Sequence, residues 1–221
     1  MKKLINYFTT FEWALVLGMV LANIITGGFS DWLGATVSIT GVLTVVLVAK
    51  GKMANFYFGV VNVALYAVMA YQWQLYGEVM LNALFYLPTQ FWGLYLWKKH
   101  YDNGTDEVVA RKLTRDQVLK LALVSCLAII AYANVLGWIG GATPYLDATS
   151  TVLSVFGQLL MLFAFSANWV LWIIVNVVSV LMWAIPALTG DPGAVSMLLM
   201  WTAYLINSVY GYVNWKKLEL N

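Results

Sequence analysis

The side chains of this chain that could do recognition chemistry stand out in one apolar run, NWVLWIIVNVVSVLMW, residues 168–183. Trp169, Trp172, Asn176, Ser179 and Trp183 follow at spacings of three, four, three and four, which places all five on one face of a helix. Lipid alone demands no such face. Indole faces attract cations, flat rings suit a heteroaromatic base, and a carboxamide both donates and accepts hydrogen bonds. Related faces recur along the chain: Trp201, Tyr204, Asn207 and Ser208; Asn82, Tyr86, Thr89 and Gln90; Asn55, Asn62 and Tyr66; Ser154 and Gln158; Thr36, Thr40 and Thr44. Amides beside aromatics and hydroxyls suit a ligand with a flat ring, several hydroxyl groups and a positive charge.

Other roles compete for these side chains. Polar groups in a membrane bundle join helices as often as they mark a pathway, and for Asn176 and Gln90 the two roles are equally open. Trp73, Trp97, Trp183 and Trp215 lie near the ends of apolar runs and read as interfacial belt residues, and Trp169 sits close enough to an end to join them. Thr36, Thr40 and Thr44 read as bonded to their own backbone or packed between helices.

Several classes of chemistry are excluded or disfavoured. No G-x-x-x-x-G-K-[ST] loop is present, so this chain encodes no P-loop ATPase. The middles of the apolar runs hold no Lys, Arg, Asp, Glu or His, whereas proton-coupled carriers hold an ionisable relay there. Facilitated diffusion is therefore favoured over pumping, with coupling through Na⁺ at amide and carbonyl groups still open. Glu12 and Glu78 sit at run ends and read as capping or interfacial. One histidine, His100 in a basic loop, and one cysteine, Cys126 in mid-run and read as packed, make a His/Cys metal cluster implausible. No nucleophile has a candidate base near it. The expectation is no catalytic residue, no metal, no cofactor and no enzyme.

The elements that must carry these faces follow from composition. Of 221 residues, 62% are hydrophobic and only 10% charged, against roughly 25% charged in soluble domains. A bilayer span needs about 20 apolar residues. Eight such segments can be read, at about 11–28, 33–50, 54–75, 78–97, 117–139, 148–166, 168–189 and 194–215. With eight spans, Lys2, Lys3, Lys50, Lys52, Lys98, Lys99, Arg111, Lys112, Arg115, Lys120, Lys216 and Lys217 all fall on one side, and the opposite loops (GGFSD, LYGE, GGATPYLD and TGDPG) contain acids and no base. Removing any one span destroys this segregation. Cytoplasmic loops collect Lys and Arg, so both termini are expected in the cytoplasm. The first run has the basic start of a signal peptide but is read as a retained span, because its loss would break the charge pattern.

The chain also reads as written twice. GLYLWKK (93–99) closes the fourth span and GYVNWKK (211–217) the eighth; ANFYFGVVN (54–62) opens the third and ANWVLWIIVN (167–176) the seventh; Asp31 precedes the second and Asp147 the sixth. Matching spans lie four apart and cross in the same sense, which predicts parallel repeats with a substrate site near mid-membrane where they meet.

On W-x-x-W-x-x-x-N (Trp169, Trp172, Asn176), the duplicated layout, the central linking helix and the Lys-rich C-terminal end, the chain resembles the Pnu family of bacterial vitamin transporters, in its nicotinamide riboside branch. The resemblance covers nearly the whole chain. It implies an all-α integral membrane fold like that of the SWEET sugar transporters: two parallel-repeat three-helix bundles joined by a linker helix, here with an extra N-terminal helix. The expected division of the single transporter domain, 1–221, is 1–30 for the extra helix, 31–97 for the first repeat, 98–139 for the cytoplasmic loop and linker helix, and 147–217 for the second repeat.

The implied substrate is nicotinamide riboside, a form of vitamin B3 and an NAD precursor, taken up by facilitated diffusion and trapped when a cytoplasmic kinase phosphorylates it. The motif carries Trp169, Trp172 and Asn176 over as substrate-binding residues. Helical facing adds Gln90, Tyr204, Asn207, Asn62, Tyr66 and Gln158. The expected location is the bacterial inner membrane. The expected partners are the substrate, the bilayer and, functionally, the kinase; no nucleic acid is expected, and assembly into a homo-oligomer stays open. The alternatives are another vitamin, such as thiamine or riboflavin, and then an unspecific small-solute pore or membrane scaffold.

Overall fold

A computed structural model describes residues 8–25, 32–72, 79, 81–99, 101–102, 107–138, 140, 143–188 and 192–219. Asp31, Trp73, Glu78 and His100, along with Lys2 and Lys3, lie outside the described residues, as does the side chain of Trp183. The described chain is almost entirely helical. α1 is Thr10–Ile25, α2 Trp32–Ala49, α3 Ala54–Gln72, α4 the π-helical turn Leu81–Tyr86 continuing as Leu87–Lys98, α5 Arg115–Trp138, α6 Pro144–Leu162, α7 Asn168–Leu188 and α8 Pro192–Leu218. Two strands of two residues each, β1 (Tyr101–Asp102) and β2 (Glu107–Val108), pair antiparallel between α4 and α5.

The chain divides into two compact units, Met1–Val108 and Val109–Asn221. Within the first, α1 packs on α2, α2 on α3 and α3 on α4; within the second, α5 packs on α6, α6 on α7 and α7 on α8. Among the described residues each unit is thus a consecutive series of four helices. The N-terminal helix and the linker helix hold the same place, each against the first helix of the three that follow.

The surfaces are inverted relative to a water-soluble protein. Leu119, Leu123, Leu127 and Ile130 on α5 are exposed, as are Val170, Ile174, Val177 and Leu181 on α7, whereas Asn55, Gln90, Gln158, Asn176, Ser179 and Asn207 are buried. An apolar exterior suits hydrocarbon as its solvent, with the polar groups turned inward. Among the described residues, α5 and α6 are by themselves long and apolar enough to cross a bilayer.

Helix ends differ from the sequence expectation where local chemistry decides. Hydropathy places the sixth span at 148–166, but α6 begins at Pro144, because proline is pre-set for the first helical turn and has no N–H to leave unpaired. It stops at Leu162 in a left-handed cap: Ala164 adopts φ 57°, its N–H donates to Met161 O at 3.0 Å, and Phe165 N–H donates to Leu160 O at 2.8 Å. α2 ends in the same way. Gly51 adopts φ 67°, donating to Val48 O at 2.9 Å while Lys52 N–H donates to Leu47 O at 3.0 Å. In α4 the regular ladder fails before Pro88, which has no N–H for the carbonyl of Leu84; the preceding residues widen into the π turn.

Caps fix the starts of two further helices. Thr9 and Glu12 bond reciprocally, Thr9 N–H to Glu12 Oε2 at 2.7 Å and Glu12 N–H to Thr9 Oγ1 at 3.3 Å. Glu12 also pairs with Lys50 at 2.6 Å, which agrees with the capping role expected of it. Thr114 and Gln117 make the same box at the start of α5. Thr40 and Thr44 donate to the carbonyls of Thr36 and Thr40, as their helical spacing suggested.

Candidate functional site

α7 places its polar face inward. Trp169, Asn176 and Ser179 are buried and Trp172 half-buried, while the opposite positions Val170, Ile174 and Val177 are exposed. The 3.6-residue period explains this: the face that cannot be satisfied by lipid is the one covered by α6 and α8. The Trp172 ring lies on Gly157 of α6. A Cβ there would meet Trp172 Cε2 at 3.2 Å, so the absent side chain is what lets the ring lie so close. Asn176 stands one turn beyond Trp172 and is only 4% exposed.

α8 supplies Tyr204, half-buried and edge-on to Trp201 at 5.8 Å and 87°, and Asn207 and Ser208, both buried. Ser208 donates to Leu205 O at 2.8 Å, so its hydroxyl satisfies its own helix. α6 contributes Gln158, buried beside Gly157. Trp172 and Trp201 also flank the apolar cluster of Leu153, Leu171 and Val175 that holds α6 and α7 together.

Trp169 is placed differently from Trp172. Its ring is wedged onto Gly211 of α8 and meets Trp215 edge-on at 6.0 Å and 72°. The body of the indole is therefore core packing, and its buried N–H, without an acceptor among the described residues, is the part a ligand could still engage. The first unit repeats this arrangement. Phe56 meets Trp97 edge-on at 4.9 Å and 84°, and Asn55 and Asn168 each donate through Nδ2 to a carbonyl three residues back, Lys52 O and Phe165 O, at 2.7 Å.

Trp97 and Trp215 are both 0% exposed, which corrects the expectation that they form an interfacial belt. Trp-Lys-Lys marks a helix end in both cases, but each ring turns inward to an aromatic partner. Cys126, expected to be packed, is exposed on α5; position within a span does not say which face of a helix a residue occupies.

In the first unit, Gln90 and Thr89 of α4 are buried, while Asn62 and Tyr66 of α3 are half-buried. Asn62 Nδ2 donates to Val37 O at 2.6 Å and approaches Thr40 Oγ1 at 3.4 Å, so this amide joins α3 to α2. Gln90 Oε1 is buried against Gly59 with no hydrogen-bond donor among the described residues. The structure thus brings Trp172, Asn176, Tyr204, Asn207 and Gln158 onto inward faces of the second unit, and Gln90, Asn62 and Tyr66 onto those of the first. Of the glycines that seat these side chains, Gly211 opens the repeated G-x-x-x-W-K-K end, whereas Gly59 and Gly157 carry no side-chain signal and escape a sequence reading.

Charges gather at the end of each unit where these helices turn. Lys52 pairs with Glu107 at 3.3 Å. Near the C-terminus, the carboxylate of Glu219 accepts from Ser166 Oγ and pairs with Lys216 at 2.9 Å and Lys112 at 3.5 Å. Burial would raise the Glu219 carboxyl; the hydrogen bonds from Ser166 and Lys216 and the charges of Lys216 and Lys112 outweigh it and hold the group below its ordinary range.

An apolar exterior, inward amide and aromatic faces and units built almost entirely of helices fit an all-α membrane transporter. Residues 31–217 match the family described as nicotinamide mononucleotide transporter, and the chain belongs to that family. It is 39% identical to the nicotinamide riboside transporter PnuC of Neisseria mucosa, over 98% of this chain and 85% of that protein. It is 36% identical to the PnuC of Haemophilus influenzae, over 85% of this chain and 80% of that one. A crystal structure of the vitamin B3 transporter PnuC matches with a TM-score of 0.78 and 38% identity, covering 96% of this chain and 93% of the other.

Proposed function

We propose that this chain carries nicotinamide riboside across the bacterial inner membrane by facilitated diffusion, with both termini in the cytoplasm, and that a cytoplasmic kinase traps the riboside as its phosphate. One observation carries the reading: the face of α7 sets a half-buried indole, Trp172, one turn from a buried carboxamide, Asn176. An indole suits the pyridinium ring, and an amide suits the substrate's carboxamide or ribose. Tyr204, Asn207 and Gln158 extend the same inward surface, and in the first unit Gln90 supplies another amide.

The riboside is favoured over the mononucleotide by charge. A phosphate on the ligand would need a cation on these faces, but Lys50, Lys52, Lys112 and Lys216 stand at helix ends paired with Glu12, Glu107 and Glu219. Burying an uncompensated phosphate costs several kcal/mol. The relatives named as nicotinamide riboside transporters agree with this preference.

Uptake by the purified protein in liposomes tests the mechanism. Labelled nicotinamide riboside should equilibrate without ATP or an ion gradient, and accumulate only when a riboside kinase and ATP are sealed inside. Accumulation without the kinase would refute facilitated diffusion.

A further inference from the structure

We propose that Gly59 is a positioning residue for transport, acting by fixing which end of the Gln90 carboxamide meets the substrate. A Cβ built on Gly59 would overlap Gln90 Oε1, and would lie 2.9 Å from Cδ and 3.5 Å from Nε2. The carbonyl end of the amide is therefore turned into the space left by the missing side chain, and the NH₂ end is turned away from it. Gln90 is 5% exposed, and Oε1 finds no donor among the described residues. Seated in this way, Gln90 presents N–H donors to a ligand acceptor: the carbonyl oxygen of a carboxamide or the oxygen of a sugar hydroxyl.

The same geometry says what alanine at position 59 would do. The overlap falls on the far end of a flexible side chain, so rotation of the Gln90 amide relieves it without moving backbone. Alanine is also a better helix residue than glycine. The substitution should therefore leave the fold intact while removing the orientation of Gln90, which separates positioning from packing.

The inference rests on the substrate reading above, and the experiment keeps the two apart. Calorimetry with nicotinamide riboside on the wild-type protein tests that reading alone: absence of saturable binding there overturns it, and this inference with it. Given wild-type binding, Gly59→Ala should bind roughly 3- to 10-fold more weakly, the worth of one hydrogen bond, with an unchanged or higher melting temperature. In a Gln90→Ala background the same substitution should have no further effect. Wild-type affinity in Gly59→Ala, or an undiminished loss in the Gln90→Ala background, would overturn the positioning role. Gln90→Met, which keeps the volume and removes the amide, answers the question if Gly59→Ala fails to fold: affinity equal to wild type would overturn it.

Discussion

Replacing Gly211 with alanine should destabilise the protein, although a glycine-to-alanine change inside a helix ordinarily stabilises it by about 0.5–1 kcal/mol. A Cβ at position 211 would stand 2.5 Å from Cη2 and Cζ3 of Trp169 and 2.6 Å from Cζ2. The indole cannot retreat readily, because Trp215 meets it edge-on at 6.0 Å and both rings are buried. Overpacking of this kind costs about 1–3 kcal/mol and occasionally more. With three ring atoms in contact, the upper end applies, and the net loss after the helix gain is about 2–2.5 kcal/mol. For a chain of this size that lowers the melting temperature by roughly 4–10 °C. Melting in detergent, followed by tryptophan fluorescence, measures it. Gly18 is the control: a Cβ there meets nothing within 4 Å, and Gly18→Ala should melt at or above the wild-type temperature. Gly211→Ala melting at or above wild type would refute the wedge assigned to Trp169.

Trp172→Ala should weaken nicotinamide riboside binding by about 1–2 kcal/mol if the ring faces the pyridinium; competition calorimetry reads this, and unchanged affinity would remove Trp172 from the site. Asn62→Ala should destabilise by about 1 kcal/mol through loss of the bond to Val37 O, measured by thermal melting, with riboside affinity falling less than for Trp172→Ala. The Glu219 carboxyl titrates below its ordinary value of 4.5. Its stabilisation is therefore fully present above that value and lost as pH falls through the lower folded-state value. Glu219→Gln should cost about 1–3 kcal/mol at neutral pH and flatten the acid limb of the stability curve, as melting temperatures across pH would show.

Much of the architecture could be read from hydropathy and charge, because both are averaged over whole spans. The eight runs correspond to the eight helices of the described residues, and the three-four spacing from Trp169 to Ser179 marks the face of α7 that is turned inward. What escaped depends on single neighbours. The π turn in α4 depends on the missing N–H of Pro88, and the cap after α6 on Ala164 entering a conformation usually left to glycine. Trp97 and Trp215 have the composition of a belt but find aromatic partners on the adjacent helix. For the site, amides and indoles announce themselves, whereas Gly59 and Gly157 matter by what they lack, and only packed coordinates reveal which side chain fills the space.

Calorimetric titration of the purified protein with nicotinamide riboside, thiamine, riboflavin and nicotinic acid riboside, repeated on Asn176→Ala, tests the central claim most directly. The account predicts saturable binding selective for nicotinamide riboside and roughly tenfold or greater weakening in the variant, the loss of a buried hydrogen-bonding group. Selective binding of thiamine or riboflavin, or full-affinity riboside binding by Asn176→Ala, would contradict it.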